Sequence, residues 1–531
     1  MNRFAELLDR LIFTPSRNGK IRLLTEYFRE VPDPERGWAV AAITRDLEIR
    51  SVKMAAIRGV IASRVDEVLF DLSRDYVGDT AEAAALIWPA EHGANRQPSL
   101  SEVIETLNSA SRTEAPAIVE QWFDALDASG RWALIKLISG GLRIGVASRL
   151  VKLALAEFGG KEPQELEELW HGLKPPYTEL FAWLEGGAEK PVNAMKAPFR
   201  PVMLSHPVEE ADKPKIDLDR MAAEWKWDGI RVQLVREGGE ARLYSRTGDD
   251  ISDAFPDVIE GFPANAALDG ELLVFDPDTT DHFAVRPFND LQQRLNRKKV
   301  SAKMLKTHPA FVRAYDILWE EGEDLRTLTL EERRRRLEAV IGEGLPRVDL
   351  SKRIEAADWD ELARLRAEPP IDAIEGVMLK SRDAPYVPGR PKGPWWKWKK
   401  EPFLIDAVLM YAQRGHGKRS SFYSDYTFGC WRGDELVPVG KAYHGYTDQE
   451  LKKIDKFVRD NTVERFGPVR SVKASRDHGL VFEVAFEGLN RSPRHKSGVA
   501  MRFPRINRLR WDKPAAEADE LSTLEAMLPR Q

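Results

Sequence analysis

With one cysteine in 531 residues, Cys430, the chain can form no intrachain disulfide and no multi-cysteine zinc site. It also lacks any apolar run long enough to cross a bilayer. The first residues, Met1-Asn2-Arg3-Phe4-Ala5-Glu6, meet acid at once, where a secretory segment needs an unbroken apolar stretch. These absences predict a cytoplasmic protein without membrane contact. The first two hundred residues hold no repeat of fixed period. Net charge is only −5, but it is unevenly spread. Residues 403–531 hold 22 Lys and Arg against 17 Asp and Glu, a balance of +5 that leaves −10 for residues 1–402. A basic C-terminal module on an acidic body points to a polyanionic partner met at that end. What is present, 43% apolar and 31% charged residues, is the composition of a globular protein with roughly three or four cores.

The stretch with most chemistry is Glu224-Trp225-Lys226-Trp227-Asp228-Gly229-Ile230-Arg231. One lysine stands between two aromatics, with carboxylates on both sides and a glycine beyond. Such a lysine suits nucleophilic attack on phosphorus or carbonyl carbon. With a pKa of about 10.4, roughly one lysine in a thousand is uncharged near neutral pH. Burial against aromatic faces and nearby cations enlarges that fraction, whereas Asp228 diminishes it. The sign of the net shift stays open. Gly229 would let the backbone approach a ligand.

Residues 1–195 read as helical, from periodic apolar positions such as Phe4-Leu7-Leu8-Leu11 and Ile118-Trp122-Phe123-Leu126. Within them, a helix ends at Ser139-Gly140-Gly141-Leu142-Arg143-Ile144-Gly145-Val146 and another follows through Leu155. Arg143 in that turn is placed to contact a phosphate; a plain helical corner with a solvated arginine is the competing reading. Pro191 to Pro214 reads as a linker and domain entry.

Strand patterns then take over, at Ile230–Val235, Ala241–Ser245, Glu271–Phe275, Phe311–Leu318 and Gly376–Leu379. Leu330 to Val340, with four successive arginines, reads as a solvated helix. Trp395-Trp396-Lys397-Trp398-Lys399-Lys400 closes this part. Residues two apart in a strand share a face, so Lys397 and Lys399 point one way while Trp396 and Trp398 pack behind. Two ammonium groups on one face call for an anion between them. From Phe403 onward, short strands with glycine turns suit a small barrel, the OB-fold being one candidate. Its end is basic: Arg491, Arg494, Lys496, Arg502, Arg505, Arg508, Arg510 and Lys513 stand against Asp512 alone. Phe503, Ile506, Leu509 and Trp511 interleave and should tie the arginines to the structure.

In order, the chain carries Lys226-x-Asp228-Gly229, Ser245-Arg246-Thr247-Gly248, Leu268-Asp269-Gly270-Glu271-Leu272, Ala314-Tyr315-Asp316-Ile317-Leu318, Glu375-Gly376-Val377-Met378-Leu379-Lys380, Trp396-Lys397-x-Lys399, and Arg502-Phe503-Pro504-Arg505 with Asp512-Lys513. This series resembles the covalent nucleotidyltransferases, and most closely the ATP-dependent DNA ligases. The turn around Arg143 is similar to the helical DNA-binding domain of the large ligases. Tyr411-Ala412-Gln413-Arg414-Gly415-His416-Gly417 fits the bacterial three-domain subgroup.

The resemblance implies a multidomain fold. Its parts would be an all-α DNA-binding domain (1–195), an α+β adenylation domain (196–402) and a C-terminal β-barrel of OB type (403–531). It implies that Lys226 takes AMP from ATP, that Glu224 recognises the adenine amino group and that Tyr315 stacks on the ring. Arg231, Arg246 and Glu271 would hold the ribose and neighbouring groups. Glu375, with Glu271, would hold Mg²⁺ or Mn²⁺. Lys397 and Lys399 would neutralise the α-phosphate, and Arg505 and Lys513 would escort pyrophosphate. Arg390 would be a further nucleotide contact, although it stands one place earlier than in some relatives. Arg143 would meet DNA. The implied substrate is nicked duplex DNA, sealed by a nucleoid-associated bacterial monomer in repair, replication or recombination, and protein partners are left open. NAD⁺-dependent ligases carry a four-cysteine zinc module that one cysteine cannot build. The alternatives are an RNA ligase or capping-type guanylyltransferase, and a non-catalytic DNA-binding protein on the same fold.

Overall fold

The computed structural model describes all residues except 78, 90–95, 193–194, 277–280, 296, 298, 343, 416–421 and 529–531, with side chains left aside at 74–77. His416 and Gly417 of the Tyr411–Gly417 stretch therefore lie outside the described residues. The chain divides into two compact units. One comprises Met1–Lys161, Lys174–Lys190 and Pro402–Gln531, and the other Glu162–Leu173 and Pro191–Glu401.

The first unit begins with α-helices in succession from Asn2–Phe13 onward. The local chemistry sets their ends. Ser16, Asp79, Ser99 and Asp127 accept backbone N–H bonds as N-caps. Gly140 and Gly160 take the left-handed conformation that closes a helix. The apolar stripes meet in a core in which Phe4, Leu8, Leu24, Phe28, Leu134 and Leu155 are fully buried.

The second unit contains two sheets. One joins β1 (His206–Pro207), β2 (Met221–Trp227), β9 (Arg353–Ile354), β10 (Ile374–Ser381) and β11 (Trp395–Lys399) in the order β1-β11-β10-β2-β9. The other joins β3 (Ile230–Glu237), β4 (Glu240–Ser245), β5 (Ala266–Val274), β6 (Ala310–Glu320) and β7 (Glu323–Asp324) in the order β4-β3-β5-β6-β7, with β8 (Val348–Leu350) added beside β6. Two residues, Asp228 and Gly229, separate β2 from β3, so the chain steps from one sheet to the other just after Lys226. A Cβ on Gly229 would lie 2.5 Å from the Leu272 carbonyl oxygen and 2.9 Å from Glu271 Cγ. The glycine therefore permits a close approach of this turn to β5.

The predicted helix at 330–340 forms as Leu330–Ile341, but it is not solvated throughout. Arg333 is fully buried and forks onto the fully buried Asp316 at 2.7 and 2.9 Å, and Arg334 donates to the Ser351 carbonyl. A carboxylate held away from water needs such a partner. The stretch read as a linker also packs in part: Met203 is buried against Gly389, and β1 pairs with β11.

The β-rich C-terminal part of the first unit is built on the long strand β12 (Phe403–Arg414). It pairs with β13 (Tyr423–Arg432), β16 (Val469–Val472) and β17 (Val481–Phe486). β14 (Glu435–Ala442) flanks β13, β15 (Thr462–Phe466) flanks β16, and β20 (Arg505–Arg510) flanks β17, while β18 (Gly488–Arg491) and β19 (Val499–Arg502) form a hairpin. One core, including Leu409, Phe428, Val458, Phe482 and Ile506, fills the bend. Ile506 and Leu509 are buried as predicted, whereas Phe503 and Trp511 are more than half exposed; even so, the Arg502 guanidinium lies 5.3 Å from the Phe503 ring centre and Trp511 packs edge-on to Phe457 at 6.0 Å.

Candidate active site

Register assembles the site on one face of a sheet. Side chains of residues paired directly across strands point to the same side. β10 pairs antiparallel with β2 and β11 together, which makes three rows: Lys226–Gly376–Lys399, Glu224–Met378–Lys397 and Ala222–Lys380–Trp395. Lys226, Lys397, Lys399 and Glu224, far apart in the chain, thus share a surface. Trp225, Trp396 and Trp398 pack on the opposite face. Alternation places the tryptophans away from Lys226, so the predicted burial of the lysine against them does not occur.

Glu375 has the wrong parity for this face, and a β-bulge corrects it. The register between β10 and β2 shifts between Ile374 and Gly376. Bulges re-aim a side chain in this way. Gly376 has φ of 149° and would bring a Cβ to 2.3 Å from the Trp398 carbonyl oxygen, so only glycine fits. Glu375 then accepts from Lys226 Nζ, and its second oxygen lies 3.0 Å from Lys399 Nζ. Burial pushes the Glu375 carboxyl up, but the two ammonium groups outweigh it and hold it below the ordinary range. Lys397 is shifted down by burial and by Lys226, Lys399 and Arg390. These cations therefore sit close to one another.

Beside them stands Glu271, paired with Arg231 across β5 and β3. Its carboxyl is pushed up to about 8, first by burial and then by Glu375 and Asp228, against the opposing pull of Lys226 and Arg231. Glu271 and Glu375 are hard oxygen donors in one cleft whose mutual repulsion a cation would relieve, so they fit a divalent ion such as Mg²⁺. Among the described residues no cluster of three His, Cys, Asp or Glu could hold a metal by itself. Phosphate and water oxygens would have to complete the shell.

Deeper on the same face, Glu224 is 2% exposed. Its Oε1 accepts from Lys380 Nζ at 3.2 Å, whereas its buried Oε2 has no hydrogen-bond donor among the described residues. Lys380 Nζ lies 4.1 Å from the Tyr315 ring centre and 4.8 Å from that of Trp395. Burial pulls the Lys380 pKa down, and Glu224 limits the fall. An unpaired acceptor beside an aromatic ring is a place for a planar ligand that donates one N–H.

Arg231 is committed to protein. It grips the fully buried Asp269 at 3.0 and 2.6 Å and donates to the Met203 carbonyl at 2.7 Å. Tyr315 and Tyr386 also donate to Asp269, at 3.2 and 2.6 Å. Arg231 therefore fixes the Tyr315 ring through a shared carboxylate. Asp269 and Tyr386 carry that network, and sequence reading gave neither a role; the signal was the aspartate in Leu268-Asp269-Gly270-Glu271. Lys380 was likewise passed over, although it ends the same quoted motif as Glu375.

Other predicted residues have surroundings of their own. Arg246 is exposed on the turn Ser245–Asp249. Arg505 pairs with Glu487 at 3.6 Å and Lys513 with Asp406 at 2.7 Å, both within the C-terminal β-rich part. Asp406 also takes Arg510 at 3.1 Å, a cation that the Arg510-Trp511-Asp512-Lys513 string could have singled out. Arg143 is exposed at φ 46°, a left-handed backbone that costs a non-glycine residue about 1–2 kcal/mol.

Three family models match the chain. DNA ligase N terminus covers residues 1–156, ATP dependent DNA ligase domain covers 202–399, and ATP dependent DNA ligase C terminal region covers 419–513. A probable DNA ligase of Koribacter versatilis (strain Ellin345) is 30% identical over 100% of this chain and 97% of its own. DNA ligase 1 of Korarchaeum cryptofilum (strain OPF8) is 29% identical over 100% and 98%. The solved structure of Pmar-Lig_PreS3 is 15% identical with a TM-score of 0.59, over 96% of this chain and 99% of that one, a likeness of fold.

Proposed function

The chain belongs to the ATP-dependent DNA ligase family, and on that premise we propose that Lys226 is the nucleophile that carries AMP to a nick in duplex DNA. The observation that carries this reading is the convergence of Lys226, Lys397 and Lys399 on one sheet face, where Glu375 pairs with Lys226 and Lys399. Three ammonium groups gathered on one face attract negative charge, and nucleotide phosphates supply it.

Lys226 Nζ, once deprotonated, attacks the α-phosphorus of ATP; the P–N bond forms as the bond to pyrophosphate breaks. Lys397 and Lys399 face the charge that builds on the phosphoryl oxygens. A terminal 5′-phosphate oxygen at the nick then displaces Lys226 from phosphorus. The 3′-hydroxyl finally displaces AMP, and the strand is sealed. Glu271 and Glu375 would hold the divalent cation, Mg²⁺ or Mn²⁺, which adds positive charge beside the phosphates. Glu224 Oε2 would accept the adenine amino group while Tyr315 stacks on the ring. Guanine turns a carbonyl oxygen toward that carboxylate, which favours ATP over GTP. Arg246 and Arg390 are the remaining nucleotide contacts of this reading. Residues 1–195, with Arg143, would grip the duplex, 196–402 would hold the nucleotide, and 403–531 would supply Arg505 and Lys513.

No helix among the described residues is long and apolar enough to cross a membrane. We place the protein in the cytoplasm, acting as a monomer. The test incubates it with α-labelled ATP or GTP and Mg²⁺, denatures it and measures retained label. Acid-labile label from ATP, absent with GTP and absent in Lys226→Ala, is the expected result. A label that survives in Lys226→Ala overturns the assignment.

A further inference from the structure

The turn that carries Arg143 is held by a lysine from far earlier in the chain. Lys20, in the helix Arg17–Glu30, is 9% exposed. Its Nζ donates to the carbonyls of Ile144 at 2.8 Å and Gly145 at 2.9 Å. Among the described residues no other hydrogen bond reaches the backbone of residues 142–146, and no carboxylate pairs with Lys20. The turn itself is awkward: Gly140, Arg143 and Gly145 all have positive φ, at 67°, 46° and 65°. Leu142 and Ile144 are buried on either side of Arg143, which is exposed.

A buried ammonium with only carbonyl partners is expensive to keep, and burial pulls its pKa down. Its place in the first turn of a helix adds to the cost, because that end of the dipole disfavours cations. The two helices it bridges do not require it. Thr25 Oγ1 already reaches the Ala154 carbonyl at 3.4 Å, and the Phe28 ring packs edge-on to Phe158 at 6.2 Å. The bonds of Lys20 go beyond that packing, to the backbone just after Arg143.

We propose that Lys20 is a positioning residue for DNA: by clamping the Ile144 and Gly145 carbonyls it presets the left-handed Arg143 to meet a backbone phosphate. This rests on the reading of Arg143 as a DNA contact. Lys20 itself does not touch DNA; it acts through Arg143. Gly145 belongs to the same device, since a Cβ there would lie 2.6 Å from Nζ and push the ammonium off its carbonyls.

The experiment measures binding of the full-length protein to a nicked duplex across a salt series, with self-adenylation by ATP as the control for folding. It compares wild type, Lys20→Met, Arg143→Ala and the double variant. Arg143→Ala should weaken binding about tenfold and lower the salt slope by about 0.9, the loss of one phosphate contact. Lys20→Met should do nearly the same, with self-adenylation unchanged, and the double variant should be no worse than Arg143→Ala alone. Additive losses, or a Lys20→Met protein that binds normally, overturn the proposal. A normal Arg143→Ala protein instead overturns the reading of Arg143. Should Lys20→Met fail to fold, Gly145→Ala takes its place: a loss masked by Arg143→Ala supports the clamp, and an additive loss or none refutes it.

Discussion

His282 packs edge-on to Trp227, the residue next to Lys226 in sequence, with ring centres 5.8 Å apart. Burial, with Arg313 and Lys352 nearby, pushes its pKa down to about 4 from an ordinary value of about 6.5. Between those values the unfolded chain takes up a proton that the folded chain refuses. Stability is therefore lost as pH falls from about 6.5 to 4, by at most about 3 kcal/mol. His282→Gln removes this contribution, so its melting temperature should fall several degrees less than wild type between pH 7.5 and pH 4.5, at about 2–4 °C per kcal/mol. Equal falls would show that the imidazole titrates normally. Nothing in the sequence around His282 announces this, because the shift comes from what β6 and the segment after β8 bring to it. Lys226, Glu224, Lys397 and Lys399 were legible because each stands in a short string whose chemistry is local. Asp269 was not, since its meaning lies in Arg231, Tyr315 and Tyr386, which arrive from three other parts of the chain.

At the scale of elements, the bulge in β10 sets the geometry around Lys226. It turns Glu375 onto the Lys226 face, and Gly376 allows β11 to lie against it. Gly376→Ala at φ 149° must displace either strand, and with it Lys399 or Glu375. Self-adenylation should fall by about 10²-fold, as when one aligned group in a charge-stabilising site is lost. A modest drop in melting temperature should accompany it. A Gly376→Ala enzyme that adenylates normally would show that the bulge is incidental. Alternation predicted which face Lys397 and Lys399 share, but one extra residue in a ladder leaves no trace in a period of two. The arginine run at 333–336 misled for a related reason. Helical spacing places Arg333 inward, and only the position of Asp316 in β6 shows that a buried acid awaits it. The basic run at the C-terminus misled in the same way, since Glu435, Glu483, Glu487 and Asp406 arrive from other strands to pair with it.

For the whole molecule, Lys226 lies in one compact unit and Arg505 in the other. A cation assigned to departing pyrophosphate must be dispensable once pyrophosphate has gone. The two C-terminal cations differ in how they are held. Lys513 is tied at 2.7 Å to Asp406, an acid with little exposure that also holds Arg510. Arg505 has only a 3.6 Å pairing with Glu487 and is about one-third exposed, so it is the easier of the two to release. Arg505→Ala should cut self-adenylation about 10²-fold, because one charge aligned with the leaving group is lost. The same protein, given a nick that already carries 5′-AMP and no ATP, should seal it at nearly the wild-type rate. Comparing the two substrates separates the roles. Equal losses on both would mean that Arg505 serves DNA binding or folding, and its assignment to pyrophosphate would have to be abandoned. A loss confined to ATP and plain nick would assign Arg505 to the departing pyrophosphate.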